Sequence, residues 1–273
     1  MSSMFGLEGK RIAILGGGRG MGEATVRRLT ELGAAVAVVD NSQERGERVA
    51  AEAVKGGAVA QPFIFDVTDD EALVAGLARI ERDFGPLDGM ASIIGMAGWG
   101  SLLDMSMETW DADHSRNLRY FFLAAREVAR GLLARQAPGS IVCVSSVDGI
   151  RSAPNHASYG AAKAGLINLA KTMAVEWSEQ NIRVNIVAPG GVVTPRIPFT
   201  DVETERRMMS GVPMQRRGEV DEIAKAIVFF LSDMSSYVTG QTLAVDGGFS
   251  AATVFATGNT NARRQGVIDE TAG

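Results

Sequence analysis

Short apolar runs rich in β-branched residues alternate along the chain with longer segments in which apolar residues recur every three or four positions. The short runs are typical of buried strands, and the longer segments are typical of amphipathic helices, since a helix repeats about every 3.6 residues. Strands are predicted at residues 11–15, 35–39, 59–65, 88–94, 141–144, 182–187 and 242–245. Helices are predicted between them at residues 23–32, 43–54, 70–84, 110–134, 157–177 and 220–231.

This regular alternation indicates an α/β protein, in which each helix returns the chain by a right-handed crossover to start a parallel strand. We therefore expect a Rossmann-type, doubly wound fold: a seven-stranded parallel sheet with helices on both faces, in a single domain of residues 1–249. Ligands bind at the carboxyl ends of the strands in such folds, and a substrate loop is expected at about 191–215. Residues 250–273 are small and polar, so we expect a tail that is either flexible or docked at an interface.

Composition limits the classes of partner. The 273 residues are 46% hydrophobic and include 27 basic and 32 acidic side chains, with no basic block that could follow a phosphate backbone, so no nucleic acid partner is expected. Cys143 is the single cysteine, so no intrachain disulfide can form. The only histidines, His114 and His156, form no cluster with metal-ligand spacing, so no metal is expected. The N-terminus lacks a signal pattern and no apolar run is long enough for a bilayer, which predicts a cytoplasmic protein without membrane contact.

A glycine-rich turn follows the first predicted strand and opens the first predicted helix. Gly16, Gly20 and Gly22 form the pattern G-x-x-x-G-x-G, which differs from the common G-x-G-x-x-G, and Arg19 and Met21 complete the turn. Glycines let the backbone approach a ligand closely, while free amides and the positive end of the helix dipole attract an anion. In this context of strand, turn and helix, the pattern predicts a site for the pyrophosphate of a dinucleotide.

Asp40 stands at the end of the second predicted strand, 18 residues beyond Gly22. A carboxylate there can accept hydrogen bonds from both hydroxyls of an adenosine ribose, and its charge would repel a 2′-phosphate. Arg19 could pair with such a phosphate, but Asn41, which follows Asp40, adds no second cation. The pattern therefore favours NAD over NADP as the cofactor.

A tyrosine and a lysine form the centre of the candidate chemistry. Tyr159 and Lys163 are four residues apart in a predicted helix, so both project from one face and can reach one site. A phenol with a pKa of ~10 is a poor base at neutral pH, and we expect the Lys163 ammonium to lower that pKa. Ser146 follows the strand at 141–144, where its hydroxyl could hold a substrate oxygen as charge develops on it. The three residues together predict acid/base chemistry at a substrate oxygen.

Over residues 6–249 the chain resembles the short-chain dehydrogenase/reductase family. The features that carry the resemblance are the turn at 16–22, Asp66-Val67, Asn117-Leu118, Ser146, Tyr159-Gly160-Ala161-Ala162-Lys163 and the segment 185–195. The resemblance implies hydride transfer between a nicotinamide ring and a carbinol carbon, with Tyr159 exchanging the proton. It also implies that Ser146 orients the substrate, that Lys163 binds the nicotinamide ribose, and that Asn117 holds a water in a proton relay.

The same resemblance implies which residues hold the cofactor and how the chain assembles. Asp66 would contact the adenine, and residues between 189 and 194 would fix the nicotinamide end. The closing segment 238–248 resembles the strand and turn that commonly pack between subunits in this family, so a homotetramer is implied. The expected cofactor residues are Gly16, Arg19, Gly20, Met21, Gly22, Asp40, Asp66, Val67, Ile94, Gly95, Tyr159, Lys163, Pro189, Gly190, Val192 and Thr194.

Two positions depart from the family pattern. Leu15 stands where most members have a threonine before the first glycine of the turn, and Ser92-Ile93-Ile94-Gly95 replaces Asn-Asn-Ala-Gly after the fourth strand. Each hydrogen bond lost in this way is worth about 1 kcal/mol. We therefore expect weaker cofactor binding or a less rigid loop, with activity retained.

Apolar residues dominate the loops expected over the strand ends, at 96–100, 148–156 and 197–212. They could line a pocket for a hydrophobic, cyclic or aromatic substrate, or they could simply cover the core. No basic cluster recommends a carboxylate or an acyl carrier as substrate. The expected substrate residues are Met96, Trp99, Asp148, His156, Ile197, Phe199 and Met208, with Ile150, Met209 and Val212 as further apolar lining.

Three functions are compatible with these patterns. The first is an NAD-dependent oxidoreductase that interconverts a secondary alcohol and a ketone. The second is an NADPH-dependent carbonyl or β-ketoacyl reductase, which Arg19 permits and Asp40 opposes. The third is a nucleotide-binding regulatory protein without catalysis, suggested by the altered cofactor loop and opposed by the presence of Asn117, Ser146, Tyr159 and Lys163 together.

Overall fold

The computed structural model describes residues 2–252, and apart from the helix at 110–134 the expected elements are present with ends that shift by one or two residues. The strands are β1 (Arg11–Leu15), β2 (Ala35–Asp40), β3 (Ala60–Ile64), β4 (Gly89–Ser92), β5 (Gly139–Val144), β6 (Ile182–Pro189), β7 (Val192–Val193), β8 (Gly218–Glu219) and β9 (Thr242–Val245). The helices are α1 (Ser2–Phe5), α2 (Met21–Glu31), α3 (Gln43–Lys55), α4 (Asp70–Asp83), α5 (Met107–His114), α6 (Tyr120–Ala134), α7 (Ala157–Trp177), α8 (Val202–Met208) and α9 (Val220–Leu231). Of the tail predicted at 250–273, residues 253–273 lie outside the described part of the chain.

Seven of the strands form one parallel sheet in the order β3-β2-β1-β4-β5-β6-β9. The chain adds strands outwards from β1 as far as β3, then crosses back to β4 and continues in the opposite direction. This confirms the Rossmann-type, doubly wound architecture, and the reversal opens a crevice at the carboxyl ends of β1 and β4. The glycine-rich turn after Leu15 and the segment after Ser92 both lead into this crevice.

Helices cover both faces of the sheet, and side chains of the central strands alternate between two hydrophobic cores. In β1, Ala13 and Leu15 face the core formed with α4, α6 and α7, whereas Ile12 and Ile14 face the core formed with α2, α3 and α9. All four are buried, as expected for a parallel strand that is covered on both faces. Among residues 2–252, no helix combines the length and the apolar character needed to cross a bilayer.

The long helix predicted at 110–134 is interrupted. The structure divides it into α5, a π-helical turn at Ser115–Arg119, and α6. Asn117 lies in this turn and is fully buried, and its Nδ2 donates to the carbonyl oxygens of Asp113 at 2.8 Å and Met96 at 2.7 Å. The sequence does not reveal the interruption because residues 110–134 contain no proline, and no glycine before Gly131, to mark a break. π-Helical turns are rare, and they are frequently found at functional sites.

The segment predicted as a loop at about 191–215 contains regular structure that periodicity did not reveal. β7 pairs with β8 in parallel, and α8 follows an N-cap bond from the Thr204 amide to Asp201. Arg217 and Glu205 form a buried ion pair, and Arg217 also donates to the carbonyl oxygens of Ile197 at 3.0 Å and Pro198 at 2.9 Å. The pair satisfies both buried charges and joins the start of the segment, at Ile197 and Pro198, to its end at Arg217.

Gly89 tests how closely β4 and β5 pack. A Cβ at this position would lie 2.3 Å from the Ser140 carbonyl oxygen, so the two strands would have to move apart. We expect Gly89→Ala to lower the free energy of unfolding by about 2 kcal/mol or more, against the normal gain of ~0.5 to 1 kcal/mol for alanine over glycine in a strand. Urea denaturation followed by circular dichroism measures the change.

Gly100→Ala is the matched control, because no heavy atom lies within 4 Å of a Cβ built at Gly100. Its effect should stay within about 0.5 kcal/mol. Equal unfolding midpoints for the two variants would contradict the close packing of β4 on β5.

Candidate active site

The carboxyl end of β5 and the first turns of α7 hold the predicted catalytic side chains. Lys163 is 1% exposed, and its Nζ donates to the Val144 carbonyl oxygen at 2.9 Å. Ser145 Oγ donates to the Lys163 carbonyl oxygen at 3.0 Å, so α7 is bonded to the strand end at two points. Ser146 follows directly, and its hydroxyl is close enough to Tyr159 to lower the pKa of the phenol. The structure therefore brings Ser146, Tyr159 and Lys163 together, as the sequence predicts.

Asn117 approaches the same place from the π-helical turn. A Cβ on Gly95 would lie 3.0 Å from Asn117 Oδ1 and 3.0 Å from Lys163 Nζ, so only glycine leaves room between these two polar groups. Both hydrogens of the Asn117 amide are used by the carbonyl groups of Asp113 and Met96, and Oδ1 accepts from the Met96 amide at 3.3 Å. Only a lone pair on Oδ1 is left for a water, and the observed effect of the side chain is to hold the backbone at Met96.

The protonation of the central pair differs from the sequence expectation. Burial raises the pKa of Tyr159 to about 12, although the nearby Ser146 hydroxyl acts in the opposite direction. Burial also lowers the pKa of Lys163 to about 8. The expectation that Lys163 lowers the pKa of Tyr159 is not supported, because its Nζ lies 5.6 Å from the centre of the Tyr159 ring and is bonded to Val144. At neutral pH Tyr159 is therefore a protonated phenol.

The glycine-rich turn has the geometry that an anion site needs. Gly16 and Gly20 have φ of 85° and 63°, in the left-handed region that favours glycine. A Cβ on Gly22 would lie 1.9 Å from the Gly16 carbonyl oxygen, so only glycine lets α2 start directly against the turn. Gly20 is the N-cap of α2 and places no side chain over its first amides. These amides and the positive end of the helix dipole face the crevice.

A cavity of about 570 Å³ extends from this turn along the crevice. The predicted cofactor residues that line it are Gly16, Arg19, Gly20, Met21, Asp40, Asp66, Val67, Ile94, Gly95 and Thr194, and the predicted substrate residue Met96 lines it as well. Gly22, Pro189, Gly190, Val192, Tyr159 and Lys163 are not part of this lining. Gly95 belongs to the cavity wall and also packs on Asn117 and Lys163, so it connects the cavity to the catalytic side chains.

Asp40 lies in the cavity wall, but it is already engaged. Its side chain is 8% exposed and accepts hydrogen bonds from the Gly18 amide at 3.1 Å, the Ser42 amide at 2.9 Å and Arg45 Nη2 at 2.6 Å. Arg45 lines the same cavity. The sequence analysis missed this cation, since it considered only Asn41 beside Asp40. Its one available signal is its place in the first turn of α3, where the Ser42 side chain caps the Arg45 amide.

The departure at Ser92 is compensated by a tyrosine in α6. Tyr120 Oη donates to the Ile94 carbonyl oxygen at 2.9 Å and lies 2.6 Å from Ser92 Oγ, which donates to it in turn. Burial raises the pKa of the Tyr120 hydroxyl, which keeps this proton in place. The Ile93 amide bonds the Leu15 carbonyl at 3.0 Å. The loop after β4 therefore has its own hydrogen bonds where the family has asparagines.

Three of the predicted substrate residues meet beside Tyr159. His156 Nδ1 lies 2.7 Å from Asp148 Oδ2, and the His156 ring contacts Trp99 at an angle of 50°, with 3.6 Å between ring centres. The ring centres of His156 and Tyr159 are 5.5 Å apart. His156 Nε2 is buried and has no hydrogen-bond partner in the protein. The group offers an aromatic surface and one unused polar atom next to the candidate proton donor.

The remaining substrate residues lie elsewhere. Ile197, Phe199 and Met208 are exposed on the segment that contains α8. Phe199 lines a second cavity, of about 740 Å³, against α2 and α3. The structure does not bring Phe199 to the group around His156. Within residues 2–252, no cluster of histidine, cysteine and acidic side chains could hold a metal ion.

Comparison with known proteins identifies the family. Residues 16–250 match the family model described as enoyl-(acyl carrier protein) reductase. The 2-(S)-hydroxypropyl-CoM dehydrogenase 3 of Xanthobacter autotrophicus is 38% identical over 251 residues, which cover 90% of this chain and 98% of that protein. The 3-oxoacyl-(acyl-carrier-protein) reductase FabG of Thermotoga maritima is 36% identical over 242 residues, 89% and 98% of the two chains. A short-chain dehydrogenase/reductase structure from Serratia marcescens superposes with a TM-score of 0.84 at 31% identity, over 89% of this chain and 99% of that one.

The matched region includes the glycine-rich turn, the crevice and the group around Tyr159. The relatives are similar over nearly their whole length, and they are dehydrogenases and reductases. The chain belongs to the short-chain dehydrogenase/reductase family, an enzyme family that acts on CH–OH groups with a nicotinamide cofactor.

Proposed function

We propose that the protein is an NAD-dependent oxidoreductase that interconverts a hydrophobic secondary alcohol and its ketone. The observation that supports this most directly is the position of Tyr159, near Ser146 at the end of β5 and near the buried ammonium of Lys163. Gly95 connects these groups to the cavity that contains Asp40. A proton donor thus adjoins a cavity suited to a dinucleotide.

The residues along the crevice fit such a cofactor. The turn from Gly16 to Gly22 would hold the pyrophosphate against the start of α2, and Asp40 and Asp66 would contact the adenosine. Gly95 lies between the cavity and Lys163, where the nicotinamide and its ribose would lie, and Thr194 lines the same cavity. When bound, the cofactor supplies the hydride acceptor or donor at its nicotinamide ring.

The side chains of the protein then handle the substrate oxygen and its proton. In ketone reduction the Tyr159 phenol gives its proton to the carbonyl oxygen, and in alcohol oxidation the same oxygen takes it back. The Ser146 hydroxyl donates to the substrate oxygen and stabilises its developing charge. The Lys163 ammonium, which donates to the Val144 carbonyl oxygen, would hold the nicotinamide ribose beside Tyr159.

The substrate site we propose is the group of Trp99, Asp148 and His156. Its rings would lie against an apolar or cyclic substrate, and segment 191–215 would close over it as the substrate loop.

We propose a homotetramer as the assembly, since exposed apolar side chains such as Phe122 on α6 and Val175 on α7 are available to a second subunit. The molar mass in solution, measured by light scattering, distinguishes this assembly from a monomer.

A second candidate is an NADPH-dependent carbonyl or β-ketoacyl reductase. Arg45 offsets the charge of Asp40 inside the cavity, and Arg19 lines the same cavity, so the site is less hostile to a 2′-phosphate than the sequence suggests. A wild-type preference for NADP would favour this candidate. The non-catalytic alternative predicts nucleotide binding without turnover.

Tyr159→Phe removes the proton donor and keeps the ring. We expect kcat to fall by about 100-fold or more in both directions, the scale of general acid/base catalysis. Turnover is followed at 340 nm with a panel of cyclic, aromatic and aliphatic secondary alcohols, and cofactor binding by fluorescence titration should be retained. Tyr237→Phe is the matched control, because Tyr237 is fully exposed. Unchanged kcat in the Tyr159 variant would exclude the mechanism.

Asp40→Asn removes a charge from the ribose end of the cavity and keeps the shape of the side chain. We expect the ratio of kcat/KM for NADP to that for NAD to rise by about tenfold or more, since relief of repulsion from a 2′-phosphate is worth roughly 1.4 kcal/mol. Asp66→Asn is the control: the adenine is common to both cofactors, so both should bind less tightly and the ratio should stay unchanged. A ratio that moves equally in the two variants would argue against Asp40 as the discriminator.

The buried ammonium of Lys163 should leave a signature in stability. Its pKa is about 8 in the folded protein and 10.5 as the ordinary value, so between these pH values the unfolded chain binds more protons and the stability of the fold rises with pH. Lys163→Met lacks this titration. We expect the wild type to gain roughly 2 kcal/mol of unfolding free energy relative to the variant between pH 7 and pH 10.

Urea denaturation at pH 7, 8, 9 and about 10 measures this difference. Lys171→Met is the matched control, since Lys171 is exposed on the same helix. Its stability should follow the wild type at every pH. Parallel curves for wild type and Lys163→Met would mean that Lys163 keeps an ordinary pKa in the folded protein.

A further inference from the structure

Asp113 is a buried carboxylate that the proposed mechanism does not use. It lies in α5, is 0% exposed, and stands four residues before Asn117. A charged group at such a position is costly to bury unless it is paired and hydrogen-bonded. Its nearest cation is Arg116, whose Nε lies 3.7 Å from Oδ1, beyond hydrogen-bond distance. Neutral hydrogen-bond donors must therefore provide most of the stabilisation of the buried Asp113 carboxylate.

Those donors belong to two segments of the candidate active site. The Gly98 amide lies 3.0 Å from both carboxylate oxygens of Asp113. Ser158 Oγ donates to Asp113 Oδ2 at 2.5 Å. Gly98 directly precedes Trp99, and Ser158 directly precedes Tyr159. One carboxylate thus bonds both Gly98, next to Trp99, and Ser158, next to the proposed proton donor Tyr159.

The loop that contains Trp99 is held by such side-chain bonds together with a few backbone bonds. Residues 93–106 contain no helix or strand, and the Gly100 amide donates to the Asn155 carbonyl oxygen at 3.1 Å. Asn117 bonds the backbone of Met96, and Asp113, one helical turn earlier, bonds the backbone of Gly98. Because positions four apart lie on one face of a helix, the two side chains hold alternate residues of the loop along that face.

We infer that Asp113 is a positioning residue: its carboxylate fixes Gly98 relative to Ser158 and thereby sets the distance between the Trp99–His156 ring pair and the Tyr159 phenol. The inference rests on the proposed function for its catalytic meaning. The contacts themselves are independent of any substrate. Small displacements between a substrate site and a proton donor are costly, since a shift of about 1 Å can reduce a rate by about 100-fold.

The charge of Asp113 provides a second, separate effect. Around Tyr159 the charged and titratable groups are Lys163 and His156 from α7 and its start, Asp148 from the turn after β5, Asp113 from α5, and Tyr120 from α6. Burial is the main cause of the raised pKa of Tyr159, and the negative charges of Asp148 and Asp113 add to it. Removal of the Asp113 charge should therefore make Tyr159 easier to ionise.

Three variants separate position from charge. Asp113→Asn keeps the size of the side chain and removes the charge, and Ser158→Ala removes one bond and keeps the charge. Asp111→Asn is the matched control, since Asp111 is exposed on the same helix. Steady-state kcat and KM are measured from pH 6 to about 10 with NAD and the best alcohol of the panel, and hydrogen exchange of the peptides that contain Gly98 and Ser158 is followed by mass spectrometry.

We expect Asp113→Asn to lower kcat by about tenfold or more, to move the rise of alcohol oxidation to lower pH, and to speed exchange at Gly98. Ser158→Ala should lower kcat without moving the pH profile, and Asp111→Asn should match the wild type. A merely structural role would lower stability and leave the pH profile unmoved. Wild-type pH profile and exchange rates in Asp113→Asn would overturn the inference.

The same experiment keeps this inference apart from the proposed function. If the wild type turns over no alcohol of the panel, the proposed function is contradicted, while hydrogen exchange at Gly98 still decides whether Asp113 holds the loop. If the wild type is active and Asp113→Asn is equally active with an unchanged profile, the proposed function stands and the inference fails.

Discussion

Burial of the central strands on both faces determines where polar side chains can lie in this protein. Every side chain of β1 after its first residue lies in one of the two cores, so a charge at such a position would lose its hydration without compensation. Polar groups therefore collect where the strands end, as Asp40 does at the last position of β2 and Ser146 after β5. Lys163 is more deeply buried than Asp40, and the carbonyl oxygen of Val144, at the end of β5, stabilises its ammonium. The location of the candidate site follows from the same burial that stabilises the fold.

The sequence predicts those parts of the site that depend on local geometry. Strand ends can be read from apolar runs, and the pairing of Tyr159 with Lys163 follows from helical spacing, so both were predicted from position alone. Contacts between distant segments leave no such pattern: Tyr120 reaches Ser92 across 28 positions, and Asp113 reaches Ser158 across 45. The π-helical turn at Asn117 was missed for a related reason, because it changes the hydrogen bonding of the backbone without a proline or glycine that would mark a break.

The buried charge that the site needs lowers the stability of the fold. Burial favours the neutral phenol of Tyr159 and disfavours the ammonium of Lys163, so one group is held ready to give a proton while the other carries a charge in an apolar place. Groups with perturbed pKa values collect at functional sites, and keeping them there lowers the free energy of unfolding. In this protein the hydrogen bonds from Lys163 to Val144 and from Ser145 to Lys163 limit that loss.

The buried ion pair of Arg217 and Glu205 affects how this enzyme can evolve. Removing either partner would leave an uncompensated buried charge, at a cost of roughly 3 to 5 kcal/mol, so neither residue can be exchanged alone in a marginally stable protein. Arg217 bonds the backbone of the same segment at Ile197 and Pro198, whereas the side chains of Ile197, Phe199 and Met208 are exposed and can be replaced at little cost. In the proposed substrate loop, a fixed backbone beneath variable side chains would let mutation explore new substrates one residue at a time.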